Sequence, residues 1–217
     1  MALDAVVFDM GETIVDDTEF WAGWARWFGV RPHTVSALVG AVTAQGMDNA
    51  EALRFFRPDL DIEDERRARV EAGQGEQIEE CDLYEDVREA CAALRANGVW
   101  LGVVGNQTER AGEQLKALAL PVDAIATSQE WKVAKPDPRF FRKLRQWVPA
   151  GRGPVAYVGD HRDDVLGARG AGLVAVHLRR GPFGHQYARD PQVREAATWC
   201  IDSLLELPGL AAAYTGA

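Results

Sequence analysis

The chain opens with a short unbroken apolar run, Val6-Val7-Phe8, that ends on a polar turn, Asp9-Met10-Gly11-Glu12-Thr13. An apolar run without alternation is the pattern of a strand covered on both faces, as in a parallel sheet. The period then changes. Phe20, Trp21, Trp24, Trp27 and Phe28 recur at three- and four-residue steps and predict a helix that Arg31-Pro32 breaks. Thr34 is the expected cap of a second helix through Val35, Leu38, Val39 and Val42, ended by Gly46. A third helix is expected from Asn49 to Phe56, before Pro58. A fourth is expected from Glu63 to about Cys81, weak around Gly73 and Gly75. The aromatic cluster reads as the core of this helical segment, with some of it available to line a pocket.

From Leu83 the pattern alternates regularly. Helices are predicted at Val87–Ala96, Glu109–Ala119, Pro138–Trp147 and Val165–Arg169, with a last one at Asp202–Leu207. Strands are predicted at Val99–Val104, Ala124–Thr127, Val155–Val158 and Leu173–Val176. Strand–helix alternation with short loops predicts an α/β fold with a Rossmann-like parallel sheet. The core domain is expected to comprise residues 1–15 and 83–217, with residues 16–82 as a helical domain inserted after the first strand. The segment from Arg179 to Gln186 is a candidate to touch the strand edge and has no assigned element.

Composition narrows the function classes. At 217 residues and 47% hydrophobic, the chain can bury a sizeable core. A net charge of -9 argues against nucleic acid or an anionic membrane as partner. The densest basic run, Arg66-Arg67-Ala68-Arg69, follows an acidic run and reads as a solvated helix face. Three cysteines without metal spacing, no leader pattern and no membrane-length apolar run lead to the expectation of a cytoplasmic protein with reduced thiols.

Candidate chemistry gathers at the carboxyl ends of the predicted strands, the edge where open parallel sheets bind ligands. Asp9, Gly105-Asn106, Lys135, and Asp160 with Asp163 and Asp164 all fall there. Carboxylates around one point repel unless a cation sits between them, and hard oxygen ligands point to Mg²⁺. Lys135 then offers charge to a nucleophile and to phosphate oxygens, and Asn106 with exposed backbone N–H groups can hold the same oxygens. The set fits phosphoryl transfer. His161, beside Asp160, reads as a loop residue, because imidazole is a poor partner for Mg²⁺.

This order of motifs resembles the haloacid dehalogenase-like (HAD) hydrolase superfamily. The resemblance rests on Phe8-Asp9-Met10-Gly11-Glu12-Thr13, Val103-Val104-Gly105-Asn106, Lys135-Pro136-Asp137-Pro138, and Val158-Gly159-Asp160-His161-Arg162-Asp163-Asp164. It implies that Asp9 is the nucleophile of a phosphatase and forms an aspartyl-phosphate that water hydrolyses. It implies Mg²⁺ held by the Asp9 carboxylate, the Gly11 carbonyl and Asp160. Asp164 is the preferred further acid, with Asp163 as runner-up. Lys135, Asn106 and Gly105 would bind a small phosphorylated metabolite, and the helical insertion corresponds in position to a first-type cap.

Three positions depart from the family pattern. Gly11 stands where most such phosphatases carry a second Asp that acts as acid and base. Gly105 replaces the usual Ser or Thr, and Glu12 replaces a common glycine. Losing a general acid/base costs a factor of about 10²–10⁴. Three readings accommodate the loss: a substrate with a good leaving group, replacement by Glu12 or a residue of the insertion, or a different reaction. Glu12 also reads simply as a first-turn helix acid. A 2-haloacid dehalogenase lacks the second Asp too, but that branch usually lacks the metal aspartate found here as Asp160. Schiff-base hydrolases of this superfamily need a cap lysine, and Lys116, Lys132, Lys135 and Lys143 all lie outside the insertion. A non-catalytic module binding a phospho-ligand or a protein is the remaining alternative.

Overall fold

The computed structural model describes residues 2–216 and divides into two compact units, residues 2–16 with 79–216, and Asp17–Ile78. The first unit is built on six parallel strands. These are β1 (Ala5–Phe8), β2 (Trp100–Gly105), β3 (Ala124–Thr127), β4 (Val155–Gly159), β5 (Val174–Leu178) and β6 (Trp199–Ile201). They lie in the order β3-β2-β1-β4-β5-β6, a Rossmann-like α/β arrangement.

Every residue of β1 is buried, as an unbroken apolar strand requires. Ala5 and Val7 join Val104, Tyr157 and Ala175 in one cluster with Phe140, Phe141 and Leu144 of the helix Pro138–Trp147. Val6 and Phe8, which alternation turns to the other face, are equally buried. Each large side chain so buried contributes about 1.5–3 kcal/mol. This double cover makes β1 a rigid mount for whatever follows it. Phe8 pairs with Val103 on one side and Val158 on the other, and the Asp9 N–H continues the ladder to the Val158 carbonyl at 2.8 Å. Strand order reverses between β1 and β4, and the carboxyl ends at such a reversal are where open parallel sheets bind ligands.

The second unit is helical. Trp24 on the helix Thr18–Phe28 is 1% exposed and stacks on Phe28, which stacks in turn on Phe56. The buried Arg69 guanidinium lies 4.2 Å from the Trp24 ring, so the aromatic cluster is the core of this unit.

Several element boundaries differ from the sequence expectation. The second helix is Pro32–Thr43, with Arg31 at the N-cap and Pro32 in its first turn, so Thr34 lies inside the helix. The third element, Asn49–Phe55, is a 3₁₀ helix capped by Asp48. The fourth helix is only Ile62–Glu71. Asp61 caps it, and the glycine-containing segment beyond Glu71 does not continue it. β6, the helices Gly181–Tyr187 and Pro191–Ala196, and a final helix Leu207–Ala213 rather than Asp202–Leu207 are additions. Arg179–Gln186 thus leaves β5 and enters the helix Gly181–Tyr187, with Arg180 at its N-cap. All three cysteines are free thiols. Among the described residues, no helix is long and apolar enough to cross a membrane.

Candidate active site

Asp9 stands one residue beyond β1 and Asp160 one residue beyond β4, so the two paired strands deliver both carboxylates to the same edge of the sheet. Asp164 joins them from the first turn of the helix Arg162–Gly170, and one oxygen of each lies within 4.8 Å of the others. All three are buried, at 8%, 2% and 1% exposure. Asp163 is not in this cluster. It sits 3.7 Å from the His161 ring nitrogen.

Lys135 is the cation that faces the cluster. Its Nζ donates to Asp9 Oδ1 at 2.7 Å, to Asp164 Oδ1 at 2.6 Å and to the Tyr157 hydroxyl at 3.2 Å. Those bonds use all three ammonium hydrogens, and the side chain is 7% exposed. The Tyr157 hydroxyl donates to the Val104 carbonyl at 2.9 Å, which anchors it to β2. Asp164 Oδ2 accepts from the His161 N–H at 3.0 Å, so both Asp164 oxygens are engaged.

Asn106 is spent on the Lys135 backbone. Its amide nitrogen donates to the Lys135 carbonyl at 2.9 Å, and its oxygen accepts from the Lys135 N–H at 2.8 Å. This double clasp fixes the Lys135 peptide across the mouth of β2. Gly105, the last residue of β2, packs against Asp9. A Cβ there would overlap Asp9 Oδ1 and lie 3.2 Å from the Met10 nitrogen. The glycine is therefore a condition of where the Asp9 carboxylate rests.

The charge balance is uneven, since one ammonium meets three carboxylates. Burial raises the Asp9 carboxyl from 3.8 to about 6; Lys135 opposes the rise and Asp164 adds to it. Burial also lifts Asp160 well above the ordinary carboxylate range, with Asp164, Asp9 and Glu12 adding repulsion. Burial works against the Lys135 ammonium, yet Asp164 and Asp9 hold its pKa well above the usual lysine value. Asp160 Oδ2 is buried with no hydrogen-bond partner. An all-oxygen donor set, an excess of negative charge and an unpartnered buried carboxylate oxygen fit a hard divalent cation.

Glu12 is not in a helix. It occupies the turn between β1 and Thr18–Phe28, with φ 52°, and is 7% exposed. Its Oε2 accepts from the Tyr84 hydroxyl at 2.5 Å. The expectation of a first-turn helix acid is therefore corrected, because the turn closes on itself before any helix begins. His161 caps the helix Arg162–Gly170, its Nδ1 accepting from the Asp163 N–H at 3.2 Å.

Tyr157 and Tyr84 were not among the sequence candidates. Tyr157 carried a usable signal: a phenol inside an aliphatic strand covered on both faces must find a polar partner. Tyr84 carried none, because its partner Glu12 is 72 residues away.

Residues 3–172 match the family model described as haloacid dehalogenase-like hydrolase. A phosphoglycolate phosphatase of Pseudomonas fluorescens is 31% identical over 80% of this chain and 60% of its own length. A glyceraldehyde 3-phosphate phosphatase of Methanopyrus kandleri is 33% identical over 46% of this chain and 45% of its own. The chain thus spans less than two thirds of the length of these curated relatives. Among solved structures, a dehalogenase superposes with a TM-score of 0.70 at 23% identity, covering 98% of both chains.

Proposed function

The chain belongs to the haloacid dehalogenase-like hydrolase family, and on that premise we propose that it hydrolyses a small phosphate ester through an aspartyl-phosphate on Asp9. The observation that carries this reading is Lys135 bonded at once to Asp9 and Asp164. A nucleophilic carboxylate must be ionised and aimed, and a buried ammonium at 2.7 Å does both. Asp9 attacks phosphorus, the leaving oxygen departs, and water then cleaves the acyl phosphate and frees Asp9. Lys135 balances charge on the carboxylate throughout. Asn106 acts mainly by holding the Lys135 peptide, with its remaining N–H open to a phosphate oxygen, and Gly105 leaves room for Asp9.

Asp9, Asp160 and the Gly11 carbonyl would hold Mg²⁺, with Asp164 tying the site to Lys135. The ion would supply the positive charge that the carboxylates lack. Gly11 offers no proton to a leaving group, and Glu12 is turned to Tyr84. We therefore assign substrates whose leaving group needs little protonation, such as acyl or anomeric phosphates. Phosphoglycolate, named for one relative, is a useful comparison substrate. The helical unit is assigned the part of a cap. Its excursion starts beside Asp16, whose N–H donates to the Asp82 carbonyl at 2.8 Å. An acidic protein of this kind is expected to act on small metabolites and not on nucleic acid.

The test is release of nitrophenol from para-nitrophenyl phosphate, with and without Mg²⁺, beside Asp9→Asn. Turnover that requires both supports the reading. Turnover equal in Asp9→Asn sinks it, and halide release from a 2-haloacid without metal would replace it with the dehalogenase reading.

A further inference from the structure

The turn that follows Asp9 is held from outside by residues that the reaction above does not use. Within the turn, the Glu12 N–H donates to the Val15 carbonyl at 2.7 Å, and the Ile14 and Val15 N–H groups both reach the Met10 carbonyl at 2.9 Å. Glu12 has a left-handed backbone that residues with a Cβ rarely adopt. Such a conformation persists where its surroundings over-determine it.

Arg180 and Tyr84 are those surroundings. Arg180 Nη1 donates to the Thr13 carbonyl at 2.9 Å, and its guanidinium carbon lies 4.2 Å from the centre of the Tyr84 ring. Under that guanidinium, Tyr84 reaches the turn twice. Its hydroxyl donates to Glu12 Oε2 at 2.5 Å, and its backbone N–H donates to the Ile14 carbonyl at 3.1 Å. Arg180 is fixed from behind by an ion pair with the buried Asp86. Asp86 Oδ2 also accepts from Ser203 Oγ at 2.7 Å and from the Leu204 N–H at 2.9 Å. The neighbour Gly181, at φ +60°, leaves the space Glu12 fills, since a Cβ there would overlap Glu12 Oε2. Arg180 and Gly181 lie beyond residue 172, where the family match ends.

We propose that Arg180 and Tyr84 are positioning residues that lock the Gly11–Thr13 turn and so set how tightly the Asp9–Asp160 cluster takes a divalent cation. The physical route is short. The Gly11 carbonyl, two residues after Asp9, shares its peptide with the Glu12 N–H that bonds Val15, and the Glu12 carboxylate held by Tyr84 is close enough to repel charge on Asp160. Groups that orient a metal site from behind commonly change affinity about 10–100-fold when removed. The second half of the proposal rests on the metal reading given above.

The experiment compares wild type, Tyr84→Phe, Arg180→Met and Arg180→Lys by two readouts. Amide hydrogen exchange of Glu12, Ile14 and Val15 reports the lock, and Mn²⁺ titration calorimetry on folded protein reports cation affinity. We expect exchange at these amides about tenfold faster in Tyr84→Phe and Arg180→Met, Mn²⁺ affinity weaker by about tenfold, and partial recovery of both in Arg180→Lys. A purely structural role would lower the melting temperature and leave the affinity of folded protein unchanged. Tyr84→Phe removes one oxygen, so it decides the question even if Arg180→Met fails to fold. Unchanged exchange in Tyr84→Phe overturns the lock. Faster exchange with Mn²⁺ affinity within about twofold of wild type overturns the link to the metal. Wild type that takes no Mn²⁺ defeats the metal reading and the second half of the proposal, while exchange still decides the first.

Discussion

Asp9 and Gly105 are packed so closely that one added carbon on Gly105 would overlap the Asp9 carboxylate. The contact joins the ends of two neighbouring strands, β1 and β2, which pair through Phe8 and Val103. Gly105→Ala must therefore push the carboxylate aside. A displacement near 1 Å in a reacting group costs about 10²-fold in rate, and overpacking costs about 1–3 kcal/mol in stability. The expected outcome is a folded variant with turnover of an aryl phosphate reduced about 10²-fold, read by steady-state kinetics beside a thermal melt.

Lys135→Met would leave Asp9 and Asp164 buried without their cation. Removing one partner of a buried ion pair costs about 3–5 kcal/mol. Calorimetry should show a marked fall in melting temperature that added Mg²⁺ partly restores, because the ion replaces part of the missing charge. Aryl phosphate turnover should fall by about 10²–10³, the loss typical of one preorganised donor. A melting temperature equal to wild type would remove the argument that this ammonium balances the cluster.

The buried acids give stability a pH dependence with a definite sign. Asp9 binds its proton more tightly in the fold, at about 6, than in the unfolded chain, at 3.8. Folding thus takes up a proton between those values, and this contribution falls as pH rises through that window. Asp160 shifts in the same direction and adds to the fall. Lys135 is raised instead, so its stabilisation is complete below the ordinary lysine value of 10.5 and is lost only at higher pH. A cation that displaces these protons should therefore stabilise more at pH 7.5 than at pH 5. Melting curves in chelator and in excess Mg²⁺ would show the gap widening with pH, and a constant gap would contradict the account.

On the proposed reading Gly11 supplies no acid to the leaving group, so rate should depend steeply on leaving-group basicity. Para-nitrophenyl phosphate should turn over at least about 10²-fold faster than a simple alkyl phosphate, the low end of what an acid/base residue contributes. Gly11→Asp should raise the alkyl rate and leave the aryl rate nearly unchanged. A flat dependence in the wild type would show that another group, with Glu12 the first to test, supplies the proton.

The sheet and the positions of Asp9, Lys135, Asp160 and Asp164 were legible because each rests on a local pattern. An apolar run or a strand–turn boundary needs only a few neighbouring residues. The three-residue edge strand Trp199–Ile201 is too short to carry a period. The helix Gly181–Tyr187 begins with Gly-Pro and includes Gly184, which reads as loop. The fourth helix, expected to continue to about Cys81, stops at Glu71, and Gly73 just beyond it takes the left-handed φ of 71°. The Glu12–Tyr84–Arg180 network was hidden for another reason. Its members meet only after the sheet has brought the loops behind β1 and β5 together, and no sequence window holds two of them.

The most direct test of the central claim is to catch the intermediate. Wild-type protein turning over an aryl phosphate with Mg²⁺ would be quenched in acid and digested, and the peptide containing Asp9 weighed by mass spectrometry. The account predicts one added phosphoryl group on Asp9, dependent on Mg²⁺ and absent from Asp9→Asn. An Asp9 peptide that stays unmodified through a rapid burst of nitrophenol, or nitrophenol release undiminished in Asp9→Asn, would contradict it.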